Sequence, residues 1–333
     1  MKYLFNFVLR LLVKVALKGY FRTIVVDGKE NIPKNVPVIL VANHQNALID
    51  PLLLATHTTL NPYFLTRASV FKKSFVAKML NFIRMLPVYR VRDGFATIQQ
   101  NQGTFDQTYE VLRKNGTVII FAEGSHSLIR NLRPLSKGFT RMAFGLKEKY
   151  PETTPVILPV ALDFSAHKRS GSKARLTFGK IIPVDMPPSK SGLLTKSVEK
   201  AVKNLVVEIP EETYEQDLAR LIENNVDLTS RADVKLFLET EEVPKPVPEP
   251  SGLKNKLMKI FHFPLYWLWL WKKSSVKDPV FSSTWKFLIG FALAPLYYLS
   301  LLWLAMDTPV GSWALAFLIM AWITLIGNRN PQE

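Results

Sequence analysis

The 333-residue chain contains no cysteine. That absence excludes disulfides, thiolate nucleophiles and cysteine-based zinc or iron–sulfur centres. Histidine is scarce too, and the five present show no metal-ligand spacing. Gly124-Ser125-His126 lacks the GxSxG pattern of a nucleophile elbow, which removes a serine hydrolase. Acidic residues number 27 against 43 Lys plus Arg, for a formal net charge of +16. A basic excess of this size suits nucleic acid, an anionic membrane or anionic substrates. No zinc finger, RNA-binding aromatic signature or basic zipper is found. A nucleic-acid binder would also leave the apolar C-terminal segments unexplained. The excess is uneven, because the stretch from Glu208 to Glu249 is mostly acidic. Apolar residues make up 48% of the chain. This excludes a disordered polypeptide and suits a globular domain with membrane-embedded segments.

Lys2, Asn6, Arg10, Lys14, Lys18 and Arg22 recur at every fourth position, with apolar residues between them. On a helix each such step drifts about 40° around the axis, so a basic stripe winds slowly over an apolar body. Residues 1–23 are therefore expected to form an amphipathic helix at a membrane interface. A helix packed on its own domain is the alternative. A signal peptide is weaker, because basic residues interrupt the apolar run and no small-residue cleavage site follows.

Residues 24–190 alternate short strands and helices. Strands are expected at 38–42, 117–122, 156–161 and 176–182, and a helix around 105–113. The pattern predicts an α/β domain with a mixed, partly parallel sheet flanked by helices. Chemistry in such sheets gathers at loops beyond strand ends. Residues 191–242 read as a helical extension, with amphipathic helices at 196–208 and 215–224. Residues 243–253 are a proline-rich linker.

Residues 254–333 read as a membrane anchor. A basic, then aromatic interfacial segment ends at Trp271. An apolar run at 287–306 is about long enough to span a bilayer, and a shorter run follows at 312–326. A helical hairpin is expected, with a re-entrant second helix as the alternative. Lys272, Lys273, Lys277 and Lys286 precede the hairpin, Arg329 follows it, and its turn has no Lys or Arg. The positive-inside rule then places both ends, and the α/β domain, on the cytoplasmic face of an inner membrane.

Three stretches carry candidate chemistry. His44 and Asp50 follow the expected strand 38–42. A carboxylate there can fix the tautomer of the imidazole, leaving the second ring nitrogen as a general base for a hydroxyl. Asp50-Pro51 also reads as a helix N-cap with proline at the first helical position. Phe121-Ala122-Glu123-Gly124-Ser125 ends the strand 117–122. A turn of small residues there can present backbone N–H groups to an anion, with Glu123 orienting a hydroxyl or an arginine. An ordinary strand–helix turn reads the same way. Arg90 and Arg92 alternate, so they share one face of an extended segment and can clamp a phosphate, or merely decorate an edge strand. Lys137, Arg141 and Pro159 complete the set.

In this order and at these intervals, the stretches resemble the glycerolipid acyltransferase family over about residues 26–184. Asn43-His44 with Asp50 resembles its first block, Arg90 (with Arg92 a substitute) its second, Phe121–Ser125 its third, and Leu158-Pro159-Val160 its fourth. Lys137-Gly138-Phe139 resembles a further family stretch. The resemblance implies acyl transfer from acyl-CoA or acyl carrier protein to the hydroxyl of a glycerol-phosphate-type lipid acceptor. It gives catalysis to His44 and Asp50. Asn43, Arg90, Arg92, Glu123, Gly124, Ser125, Lys137 and Pro159 are left to bind substrate. No cofactor or metal is implied. Two departures stand out. Five residues separate His44 from Asp50 where the family usually has four, and Ala122 replaces the common proline. The longer spacing and the Glu-Gly-Ser-His stretch resemble the branch acting on glycerol 3-phosphate or dihydroxyacetone phosphate. A catalytically dead membrane tether with the same fold is the remaining alternative.

Overall fold

The computed structural model describes residues 1–89, 101–243, 246–247 and 252–327. Its centre is strand β2 (Val38–Ala42), whose sequence VILVA is buried along its whole length. A run of apolar, β-branched-rich residues with no polar alternation belongs in a strand covered on both faces. β2 is flanked by two parallel neighbours, β5 (Thr117–Ile120) and β6 (Val156–Phe164). With β1 (Thr23–Asp27), β3 (Tyr63–Arg67), β4 (Met85–Val88), β7 (Lys173–Phe178) and β8 (Ile182–Pro183), they form an eight-stranded sheet. Its order is β1-β7-β6-β2-β5-β3-β4, with β8 also on β6. Only the pairs of β6 with β7 and with β8 are antiparallel. The sheet is mixed and mostly parallel, as the alternation of elements predicts.

Side chains alternate across β2. Val38, Leu40 and Ala42 face a layer built on α1 (Lys2–Tyr20) and α2 (Ile49–His57). Ile39 and Val41 face α4 (Asn101–Arg113), α5 (Gly138–Lys149) and α6 (Ser191–Lys203). A smaller core around Val207, Leu221, Val234 and Phe237 holds α7 (Tyr214–Glu223) and α8 (Arg231–Thr240). The Ser230 side chain caps α8 by accepting from the Asp233 N–H.

Several boundaries differ from expectation. β5 stops at Ile120 and β6 runs on to Phe164. The expected strand 176–182 divides into β7 and β8 at Gly179, whose N–H donates to the Pro159 carbonyl (2.8 Å). A Cβ on Gly179 would lie 2.9 Å from Leu205 and 3.0 Å from Pro159, so this close crossing needs glycine. Pro159, without an N–H, falls where β6 changes partner from β8 to β7. The helix expected at 196–208 spans 191–203, and that at 215–224 spans 214–223.

On α1 two residues of the polar stripe, Asn6 and Arg10, turn toward the protein. Arg10 donates to the carbonyls of Leu60 (2.9 Å) and Thr58, and Asn6 to that of Phe82 (3.0 Å). Val13, Leu17 and Tyr20 are buried, whereas Leu4, Phe7, Leu11, Leu12 and Val15 are exposed. The helix therefore both packs on the domain and presents an apolar face outward. The C-terminal region contains α9 (Gly252–Phe261), α10 (Phe263–Lys273), α11 (Ser282–Asp307) and α12 (Gly311–Gly327). The single expected interfacial segment is thus two helices, broken at His262. Pro295 lies inside α11. Most of the expected linker 243–253, and Arg329, lie outside the described residues.

The start of α11 is seated on the α/β domain. Tyr20 donates to the Ser283 hydroxyl (2.8 Å), which in turn donates to the His167 carbonyl. Leu48 N–H donates to Thr284 (3.3 Å), Lys286 donates to the Lys168 carbonyl, and Phe287 is buried in the α1-side core.

Candidate active site

β2 ends at Ala42, and the next eight residues build the site. Asn43 is 1% exposed, and its amide donates to the Leu162 carbonyl (2.9 Å) and accepts from the Leu162 N–H (2.8 Å). A side-chain amide used in both directions mimics one more ladder residue. Asn43, expected to touch substrate, instead holds the end of β2 against β6. Gln45 and Asn46 are also buried, donating to the carbonyls of Arg130 (2.9 Å) and His167 (3.1 Å). Among Asn43, His44, Gln45 and Asn46 only His44 keeps a partly open side chain, 17% exposed.

The His44 ring is held on three sides. Its Nδ1 lies 2.7 Å from Oδ2 of Asp50, which is 0% exposed. A carboxylate only accepts, so Nδ1 carries the proton and Nε2 keeps the lone pair. Phe121 stacks on the ring with centroids 4.1 Å apart at 17°. His126 stands edge-on to it, 5.8 Å away. The extra residue between His44 and Asp50 is taken up in a turn. Ile49 N–H donates to the Asn46 carbonyl (2.8 Å), with Ala47 at φ +37°. Asp50 is not the N-cap, since α2 begins one residue earlier and Leu48 occupies the cap position. Its Oδ2 instead accepts from the Asn46 N–H (2.7 Å), tying loop and helix together.

The stretch after β5 closes the other side. Glu123 accepts from the His44 N–H (2.7 Å) and from Arg133 Nε (2.6 Å). Burial pushes its carboxyl above the usual range, and the Arg133 guanidinium and the His44 N–H oppose that shift. Arg133 also donates to the Ser125 hydroxyl (2.6 Å) and carbonyl. Gly124 sits at φ +73°, a left-handed conformation that glycine adopts without strain. Ala122, in the place of the common proline, is buried, and its carbonyl accepts from the Ser136 N–H (2.8 Å). The Glu123–Ser125 turn is thus tied to the histidine loop through Glu123.

Not every candidate joins this cluster. Lys137 is exposed at the N-terminus of α5, its ammonium beside Gly192 at the start of α6. Arg141 is exposed on α5. Pro159 is buried in mid-strand opposite Val41. Arg90 and Arg92 lie outside the described residues. Phe121 as a stacking partner, Arg133, His126 and Asp278 were not picked out as site groups from the sequence. Arg133 carried a weak signal, an arginine ten residues beyond a glutamate already assigned to orient one. Among the described residues no His, Asp and Glu cluster could hold a metal ion.

Buried Asp50, the oriented His44 imidazole and the Glu123–Ser125 turn thus adjoin one another. Residues 23–163, which hold all three, match the profile of the family described as Acyltransferase. The chain is similar to that family over this stretch. Over 155 residues it is 30% identical to the 1-acyl-sn-glycerol-3-phosphate acyltransferase of Borreliella burgdorferi, covering 46% of this chain and 56% of that protein. Over 95 residues it is 36% identical to glycerol-3-phosphate O-acyltransferase 2 of Saccharomyces cerevisiae, covering 25% of this chain and 13% of the yeast protein. The chain therefore spans less than two thirds of the length of either relative. The crystal structure of the 1-acyl-sn-glycerophosphate acyltransferase PlsC from Thermotoga maritima is also similar. Its TM-score is 0.45 at 22% identity, covering 61% of this chain and 78% of that one. The matched stretch begins with β1 and ends in β6, and β7, β8 and α6 onward lie beyond it.

Proposed function

We propose that this protein transfers a fatty acyl chain from acyl-CoA or acyl carrier protein to the free hydroxyl of 1-acylglycerol 3-phosphate, in phospholipid biosynthesis at a membrane. The contact between His44 Nδ1 and buried Asp50 carries the reading. His44 Nε2 removes the hydroxyl proton as the oxygen attacks the thioester carbonyl. The carbon–sulfur bond breaks, and the imidazolium returns the proton to the departing thiolate. Asp50 stabilises the imidazolium while it lasts. Arg90, with Arg92, is assigned the acceptor phosphate on the family resemblance. An apolar groove lined by Leu9, Val13, Leu52, Ala55, Phe64 and Met85 reaches Leu48, at the catalytic loop. It suits an acyl chain.

The helix from Pro279 to Met306 is long and apolar enough to cross a membrane. Leu296, Leu299, Trp303 and Met306 on it, and Trp313, Ile319 and Ile323 on α12, are exposed apolar side chains. So much contiguous apolar surface calls for lipid. The lysines before α11 support a cytoplasmic placement of the domain at an inner membrane.

Glycerol 3-phosphate is the second candidate acceptor. The longer His44–Asp50 spacing and the activity of the yeast relative favour it. The test is a purified-enzyme assay in vesicles offering both acceptors with one acyl-CoA. Faster conversion of the 1-acyl compound, yielding a diacyl product, supports the first reading. Faster mono-acylation of glycerol 3-phosphate supports the second, and no acylation of either overturns both.

A further inference from the structure

His126 follows the Glu123-Gly124-Ser125 turn, and its Nε2 lies 3.2 Å from Oδ2 of Asp278. The two residues are 152 positions apart, and Asp278 belongs to the segment leading into the membrane helix α11, well outside the family profile. Phe281, from the same segment, packs edge-on against His126 with ring centres 4.9 Å apart. The segment is fixed at this place. Ser283, Thr284, Lys286 and Phe287 each engage the α/β domain, and Thr284 bonds the catalytic loop itself at Leu48. A second carboxylate–imidazole pair therefore stands beside the first, with the His126 and His44 rings 5.8 Å apart.

Asp278 can only accept, so it draws the proton of His126 to Nε2 and leaves Nδ1 as an acceptor. Asp278 is half-exposed, whereas Asp50 is fully buried. The inner pair is thus the better insulated base, and the outer pair is the better placed to meet substrate arriving from the membrane side. We propose that Asp278 is a positioning residue. It orients His126 to accept a hydrogen bond from the acceptor lipid next to His44, so acyl transfer requires the membrane unit to be seated on the domain. This rests on the acyl-transfer reading above. The C-terminal region is then part of the active site as well as an anchor.

The geometry offers a clean substitution. Oδ1 of Asp278 also accepts from the Val280 N–H (3.0 Å), capping the turn before α11. Asp278→Asn keeps an oxygen for that cap but turns the atom facing His126 into a donor. The full-length protein in phosphatidylglycerol-containing vesicles is assayed as wild type, Asp278→Asn, Asp278→Glu, His126→Ala and the Asp278→Asn/His126→Ala double variant. The expected result for Asp278→Asn is a roughly tenfold loss of kcat/KM for the acceptor, with the KM for acyl-CoA unchanged. Asp278→Glu restores part of the loss, and the double variant is no worse than His126→Ala alone. Wild-type rates in Asp278→Asn, or additive losses in the double variant, overturn the proposal while leaving the acyl-transfer reading intact. A wild type that acylates neither acceptor removes the reading itself, and the proposal with it.

Discussion

Asp163 lies at the end of the family match, 1% exposed in β6, with Oδ1 accepting from the Val207 N–H (3.1 Å). Burial outweighs that bond and the nearby Arg130 and Arg175, and lifts its pKa from 3.8 to about 7. The folded protein then holds a proton that the unfolded chain releases near pH 4. Stability is fully present below that pH and is lost as pH rises to about 7, a change on the order of 4 kcal/mol. Asp163→Asn keeps an accepting oxygen and has nothing to ionise. Its melting temperature should exceed that of wild type at pH 8 and converge with it near pH 4, as followed by circular dichroism. Equal curves at every pH would contradict the assignment.

How much of the site was legible follows from sequence distance. His44 and Asp50 lie six positions apart, and their chemistry reads from residue types alone. The five-residue spacing also marked an extra residue to be absorbed between them. Placing it at Ala47, at φ +37°, required the backbone, because nothing about alanine marks a left-handed position. Asn43 misled, since a buried amide serving a neighbouring strand has the same sequence as one serving a ligand. His126 with Asp278 could not be read at all. Their pairing depends on how a C-terminal helix docks, and no local pattern encodes that.

At the scale of elements, period and burial were legible and direction of facing was not. The fourfold recurrence on α1 identified a helix, yet Asn6 and Arg10 turn to backbone carbonyls of the domain, while Leu4, Phe7, Leu11, Leu12 and Val15 face outward. α3 (Ser74–Phe82), absent from the expectations, joins the same surface. Phe82 meets Phe5 with ring centres 5.1 Å apart, Phe75 is 77% exposed, and Lys72, Lys73 and Lys78 flank it. Exposed aromatics ringed by lysines suit insertion at an anionic lipid surface. The cysteine-free chain makes this testable with a single label. An environment-sensitive fluorophore on Phe75→Cys should shift to the blue and resist iodide quenching in anionic vesicles. The same dye on Glu239→Cys, exposed on α8, should do neither. Equal accessibility at the two sites would remove α3 from the membrane surface.

For the whole molecule, the α/β class and the helical C-terminus followed from composition and alternation. The mutual arrangement of the parts did not. A linker and a run of lysines describe a tether, whereas the docking of α11 comes from scattered polar contacts such as Tyr20–Ser283 and Leu48–Thr284. The result is one assembly in which the loop carrying His44, α1 and the start of α11 adjoin. Its central claim is that His44, held by Asp50, removes the proton from the acceptor hydroxyl. The most direct measurement compares single-turnover acyl transfer by wild type and His44→Ala in the same vesicles, with melting temperature and donor binding recorded alongside. The account predicts a loss of about a thousandfold in the transfer rate with folding and donor binding preserved. Transfer within a few-fold of wild type by a folded His44→Ala protein would contradict it.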